Sequence, residues 1–166
     1  MSVVFIGAPG SGKSTIGRQV AEHLDRPFVD VDQAIVDATG REISEIFSVD
    51  GEARFRELEC EHTLGVLAGP DAIVSLGGGA VMTDAIREAL EGHTVVWLDV
   101  PVPVLADRVG LNAARPLLFG NVRGRLVQLL RERLPVYEAC ATHRVDASAE
   151  TGEVVDAVLT ALETTR

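Results

Sequence analysis

The stretch Gly7-Ala8-Pro9-Gly10-Ser11-Gly12-Lys13-Ser14 matches the pattern G-x-x-x-x-G-K-[ST] in full. Before it, Val3 to Ile6 is a β-branched and aromatic run suited to a buried parallel strand. After it, Ile16, Val20, Ala21 and Leu24 recur at helical spacing. Strand, glycine loop and helix in that order turn successive backbone N–H groups toward one point at a helix amino end, which is an anion site. Gly10, Ser11, Gly12, Lys13, Ser14 and Thr15 are therefore the candidate nucleotide contacts. Lys13 is placed to reach the β- and γ-phosphates, and the Ser14 hydroxyl to join a Mg²⁺ shell.

Downstream, strand and helix patterns alternate. Strands are expected at 28–31, 72–76, 94–98 and 142–145, with helices at 33–39, 43–47, 51–67, 83–90, 103–109, 122–133 and over the C-terminal segment. A Gly-, Asn- and Pro-punctuated loop is expected over 110–121. Such alternation predicts an α/β fold, a parallel sheet flanked by helices. The 166 residues suffice for one domain with a sizeable core, and no internal repeat or linker divides them.

Composition narrows the function. Lys13 is the only lysine, so the other 14 of the 15 basic residues are arginines, set against 25 acidic ones for a net charge of −10. With no basic excess to displace counterions, nucleic acid and membrane surfaces are not expected partners. No apolar run approaches a membrane span, the amino terminus reads as a strand without a basic leader, and Cys60 and Cys140 hold no metal or redox spacing. A cytoplasmic protein with reduced thiols is the expectation. The single lysine also leaves none for the N-K-x-D type of guanine recognition, and the chain is short for a motor or AAA-type ATPase. A small kinase with an acceptor pocket and a mobile lid remains.

Three features bear on that pocket. Asp30 and Asp32, two residues apart at a strand end, are expected on one face of the sheet, one toward the metal's hydration shell and one toward acceptor hydroxyls, or else as two solvated loop acids. Gly77-Gly78-Gly79 after a strand offers bare backbone N–H groups to a ligand, or a flexible turn. Scattered arginines, Arg54, Arg56, Arg115 and Arg133, carry planar forks suited to carboxylate and phosphate.

With these residues in view, the sequence resembles the shikimate kinase family over nearly its whole length. The resemblance is carried by Gly7 to Thr15, Phe28-Val29-Asp30-Val31-Asp32, Thr39-Gly40-Arg41, Ile46-Phe47, Gly51-Glu52, Phe55-Arg56-Glu57-Leu58-Glu59, Ser75 to Val81, Arg115-Pro116-Leu117-Leu118 and Arg133-Leu134-Pro135-Val136-Tyr137. It implies ATP-dependent phosphorylation of the shikimate 3-hydroxyl, a step toward chorismate and the aromatic amino acids. It also implies a P-loop kinase fold with a five-stranded parallel sheet, in one domain spanning 1–166 with a substrate-binding region at about 32–60 and a lid at about 110–122. Residue by residue, Lys13, Asp32 and Arg115 match catalytic positions, Asp32 holding the reacting hydroxyls and Arg115 swinging from the lid onto the transferring phosphate. Arg56 and Arg133 match the pair gripping the shikimate carboxylate, with Gly77, Gly78 and Gly79 beside them. Ser14 and Asp30, with Ser75, match the magnesium environment, and Arg108 matches the arginine stacked on adenine. Residues 147–150 lack the second adenine-flanking arginine that family members often supply. ATP and shikimate are thus the expected partners, Mg²⁺ the cofactor and a monomer the expected state. A gluconate-kinase-like enzyme and a catalytically silent nucleotide-binding sensor are the alternatives. The first is not expected to pair two clamp arginines with the Gly77 triplet, and the second has no need of Arg115.

Other candidates have simpler readings. Asp99 ends a Walker-B-like run, 95–99, and is expected to cap a helix; Trp97 is expected in the core, and the four histidines form no ligand set. Glu57 and Glu61 read as a solvated face, whereas Glu59 is a candidate to orient the nearby arginines.

Overall fold

In the computed structural model, which describes residues 1–112 and 122–165, five parallel strands lie in the order β2-β3-β1-β4-β5. They are β1 (Val3–Ile6), β2 (Phe28–Asp30), β3 (Ile73–Ser75), β4 (Thr94–Asp99) and β5 (His143–Asp146). Helices α1 (Lys13–Leu24), α2 (Val31–Thr39), α3 (Ile43–Val49), α4 (Glu52–Ala68), α5 (Asp84–Leu90), α6 (Val102–Asn112), α7 (Val122–Cys140) and α8 (Thr151–Glu163) flank the sheet. The expected α/β architecture is the observed one. β1, β3 and most of β4 are buried, because both sheet faces are covered, and such strands read as continuous apolar runs.

β1 sits at the centre, with β3 on one side and β4 on the other. The chain therefore leaves β1 at the switch point where the connections diverge, the place an open parallel sheet presents to a ligand. The register aligns Asp30 of β2 and Phe5 of β1 with Ser75 of β3, so Asp30 and Ser75 end their strands side by side.

Several boundaries differ from the sequence reading, and two matter for the site. The second strand stops at Asp30, which caps α2 by accepting from the Gln33 N–H at 3.3 Å. Asp32 lies in the first helical turn, so the alternating geometry of a strand does not relate the two acids. Helix α7 does not end at Arg133 but continues through Pro135 to Cys140. A proline forfeits one helical hydrogen bond, and here the packing of Leu126, Leu130 and Tyr137 against the core carries the helix past it. At its C-terminal end α6 reaches Asn112, where the sequence predicts a loop from 110. Among the described residues the Asp99 carboxylate makes no capping bond; it pairs with Arg144 of the neighbouring strand at 2.6 Å. Thr83 occupies the N-cap position of α5 without a side-chain capping bond. Trp97 is in the core as expected. Among the described residues no helix is long and apolar enough to cross a membrane.

Candidate active site

The loop between β1 and α1 is built on Gly7, Gly10 and Gly12, all with positive φ. An L side chain strains in that region, so these positions require glycine. Gly12 is the N-cap of α1 and no side chain caps the helix, which leaves first-turn N–H groups for an anion. Lys13, 9% exposed, folds back to donate from Nζ to the carbonyls of Gly7 at 2.8 Å and Ala8 at 3.0 Å. Burial lowers its pKa to about 8, against the opposing pull of Asp32 and Asp30. The Ser14 hydroxyl donates to Asp30 Oδ2 at 2.6 Å and lies 3.4 Å from the Ser75 hydroxyl. These are hard oxygen donors, a set that suits a small divalent cation held by few protein oxygens together with nucleotide phosphates. The described residues include no cluster of three or more His, Cys, Asp or Glu able to form an all-protein cage.

A cavity of about 310 Å³ opens beside this loop, lined among others by Lys13, Ser14, Asp32, Ser75 and Gly77. A second, of about 420 Å³, shares Gly10, Gly12 and Thr15 with the first and extends past Arg108 to residues 147–151. The phosphate loop thus forms the wall common to both. Arg108 donates to Gly10 O at 3.1 Å and to Ala147 O at 3.0 Å, tying the loop to the end of β5. Both ends of its fork are spent on backbone, so what it presents to the cavity is the guanidinium itself. A wider depression of about 500 Å³ between α5, β4 and the end of α7 carries none of these groups.

The glycine triplet explains the acceptor side. None of Gly77, Gly78 or Gly79 has a positive φ, so conformational freedom is not the reason for them. Space is. A β-carbon on Gly77 would lie 2.9 Å from Glu59 Oε2 and 3.1 Å from Asp32 Oδ1. On Gly78 it would meet Pro9 Cδ at 2.9 Å and Arg133 Nη1 at 3.2 Å, and on Gly79 both terminal nitrogens of Arg56, the nearer at 2.5 Å. Each glycine is a seat for a charged side chain arriving from another element. The triplet therefore brings Arg56 of α4, Arg133 of α7 and Asp32 of α2 to one short segment.

Arg56 is itself held. Glu59, 1% exposed, accepts from its Nη1 at 2.8 Å, and the guanidinium lies 5.3 Å from the Phe55 ring and 5.9 Å from that of Phe47. Burial raises the pKa of Glu59, while the hydrogen bond and charge of Arg56 pull it down. Burial also raises that of Asp32, reinforced by Asp30 and opposed by Lys13 and Arg56. Asp32 Oδ1 and Glu59 Oε2 are both buried without a hydrogen-bond partner among the described residues. Arg54, by contrast, points to solvent and pairs with Glu57. Arg115 and the expected lid lie largely outside the described residues.

Tyr137 takes part without having been singled out as a site residue. Its hydroxyl donates to Gly78 O at 2.5 Å. The available signal was its spacing of four residues from Arg133, one helical turn, which a helix stopped before Pro135 conceals.

The "Shikimate kinase" family model matches residues 9–163. A curated shikimate kinase from Thermobifida fusca is 49% identical over 150 residues, covering 90% of this chain and 87% of its relative. Among solved structures, the shikimate kinase from Acinetobacter baumannii in complex with shikimate superimposes with a TM-score of 0.91 at 30% identity, covering 100% of this chain and 95% of that one. A gluconokinase from Sinorhizobium meliloti shares the fold alone, with a TM-score of 0.66 at 21% identity over 99% of this chain and 92% of its own.

Proposed function

The chain belongs to the shikimate kinase family and phosphorylates shikimate with ATP, and we propose that the acceptor is the 3-hydroxyl, held by Asp32 between the Arg56–Arg133 clamp and the phosphate loop. The observation that carries this reading is the convergence of Arg56 and Arg133 on adjacent glycines, Gly79 and Gly78, beside Asp32 and the cavity containing Lys13. Two guanidiniums grip a carboxylate bidentately, and the acid one seat away orients a hydroxyl of the same small molecule.

Phosphoryl transfer passes through a loose transition state, so the protein's task is to position groups and balance charge. Gly10 to Thr15 hold the phosphates with their backbone N–H groups, and Lys13 leaves the Gly7 and Ala8 carbonyls for the β- and γ-phosphate oxygens. Arg108 covers one face of the base. Residues 147–150, expected at the other, include no arginine. Mg²⁺ fits the hydroxyl and carboxylate oxygens of Ser14, Asp30 and Ser75 and would neutralise phosphate charge there. Arg115 approaches the transferring phosphate from the lid, which spans about 110–122, and the substrate region is about 32–60. The same reading makes the protein a cytoplasmic monomer. The compartment is supported by its two free cysteines.

The test is ADP release from ATP and Mg²⁺ with shikimate, with gluconate and with no acceptor. Turnover is expected with shikimate, yielding shikimate 3-phosphate. Turnover with gluconate alone, or background rates throughout, would reject the assignment.

A further inference from the structure

Gly78 is a junction of three elements. Pro9 of the phosphate loop packs on its α-carbon from one side, Arg133 leans on it from another, and its carbonyl accepts the Tyr137 hydroxyl at 2.5 Å. Tyr137 is 1% exposed, and its ring lies 6.0 Å from that of Trp97 in β4. The phenol is thus anchored in the core while its oxygen reaches the acceptor site. Arg133 stands one turn earlier on the same helix, and Pro135 lies between them. That proline has no N–H to give the helix, so the turn presenting Arg133 is short of one backbone bond. The Arg133 guanidinium also faces the phenol oxygen, its charge and hydrogen bond opposing the upward push of burial on the Tyr137 pKa.

From this arrangement we propose that Tyr137 is a positioning residue for shikimate, its hydroxyl pinning the Gly78 backbone and setting Arg133 at the height at which the clamp closes on the carboxylate. The inference rests on the shikimate-phosphorylating reading above and adds a residue that acts through Arg133 and Gly78. Without the hydroxyl, the half-buried Gly78 carbonyl loses its donor, and the weakened turn of α7 loses the contact that fixes Arg133. Pro9 meets Gly78 only by packing, whereas hydrogen bonds from Lys13 to Gly7 and Ala8 and from Arg108 to Gly10 hold the phosphate loop, so its geometry is expected to survive the loss.

The experiment compares Tyr137→Phe with the wild type. The shikimate KM is expected to rise about tenfold, the worth of one such hydrogen bond, while kcat and the ATP KM stay within about twofold. In a cycle with Arg133→Lys, the two losses are expected to be less than additive, since both act on one contact. Tyr137 is the only tyrosine in the chain, so biosynthetic fluorotyrosine labels it alone. Its fluorine resonance is expected to shift on adding shikimate to the wild-type background and to lose that shift with Arg133→Lys, which keeps the test open if Tyr137→Phe folds poorly. An unchanged shikimate KM, equal rises in both KM values, strict additivity, or a resonance indifferent to shikimate would each overturn the inference while leaving the kinase reading intact. A wild type that turns over no shikimate removes that reading and this inference with it.

Discussion

The guanidinium of Arg56 rests on the α-carbon of Gly79 so closely that a β-carbon there would lie 2.5 Å from Nη2. Gly79 has φ −101° and ψ 0°, a conformation open to alanine, so substitution meets the arginine without straining the backbone. Gly79→Ala is therefore expected to leave folding nearly intact and to displace the clamp. Steady-state kinetics should show the shikimate KM raised about tenfold or more, with the ATP KM unchanged. A KM near that of the wild type would mean that Arg56 does not need this seat.

Glu59 separates binding from stability. It is a buried carboxylate whose pKa burial raises, and its one hydrogen-bonded partner among the described residues is Arg56. Glu59→Gln removes the cost of burying a charge but leaves the Arg56 guanidinium without its counter-charge. Since the amide keeps an acceptor oxygen, these opposing effects are expected to leave the melting temperature little changed. The same change loosens Arg56, and the shikimate KM should increase about 10- to 100-fold, the worth of a charge-assisted hydrogen bond. Melting curves and shikimate titrations of one preparation decide it.

Lys13 makes nucleotide binding depend on pH. In the unliganded protein its pKa is lowered to about 8, and a phosphate beside it raises that value again. Binding above pH 8 must then supply a proton to Lys13, whereas below it the amine is already charged. ADP affinity measured by calorimetry without metal is expected to fall as pH rises from about 7.5 to about 9.5, by up to about tenfold per pH unit. Lys13→Ala should bind weakly throughout and lose this slope.

Gly17 tests the packing of α1 on the sheet. A β-carbon there would come within 2.8 Å of Phe28 Cε2 and 3.4 Å of Phe5 Cδ2, and Arg18 stacks on the same Phe28 ring. Alanine gains about 1 kcal/mol of helix propensity, but overpacking costs about 1–3 kcal/mol. Gly17→Ala is expected to be less stable by about 1 kcal/mol in urea denaturation, with the shikimate KM unaffected.

Arg115→Ala is expected to lower kcat by about 10³-fold or more, the scale of arginine fingers, with little change in shikimate affinity. Rapid-quench measurement of a single turnover checks this directly, and an unchanged rate would remove Arg115 from the transition state.

What the sequence determined by itself is what depends on local chemistry. The glycines of the phosphate loop need positive φ, Lys13 and Ser14 follow them in fixed order, and β1 is apolar throughout because both its faces are covered. These are one-dimensional constraints, legible without a partner. The clamp is of another kind. Its parts, Asp32, Arg56, Glu59, Arg133 and Tyr137, lie on three helices and meet only at Gly77 to Gly79. The chain alone offers two readings of three glycines, a bare backbone or a flexible turn. Only the tertiary structure shows them vacating space for the side chains of Asp32, Glu59, Arg133 and Arg56. The aspartates argue the same way: strand alternation was the wrong rule for Asp30 and Asp32, because the Asp30 carboxyl caps a helix beginning one residue later. Tyr137 was hidden by Pro135, a local breaker that long-range packing overrides. Spacing along the chain specifies the phosphate end of this site, and only the packing of helices against the central sheet specifies its acceptor end.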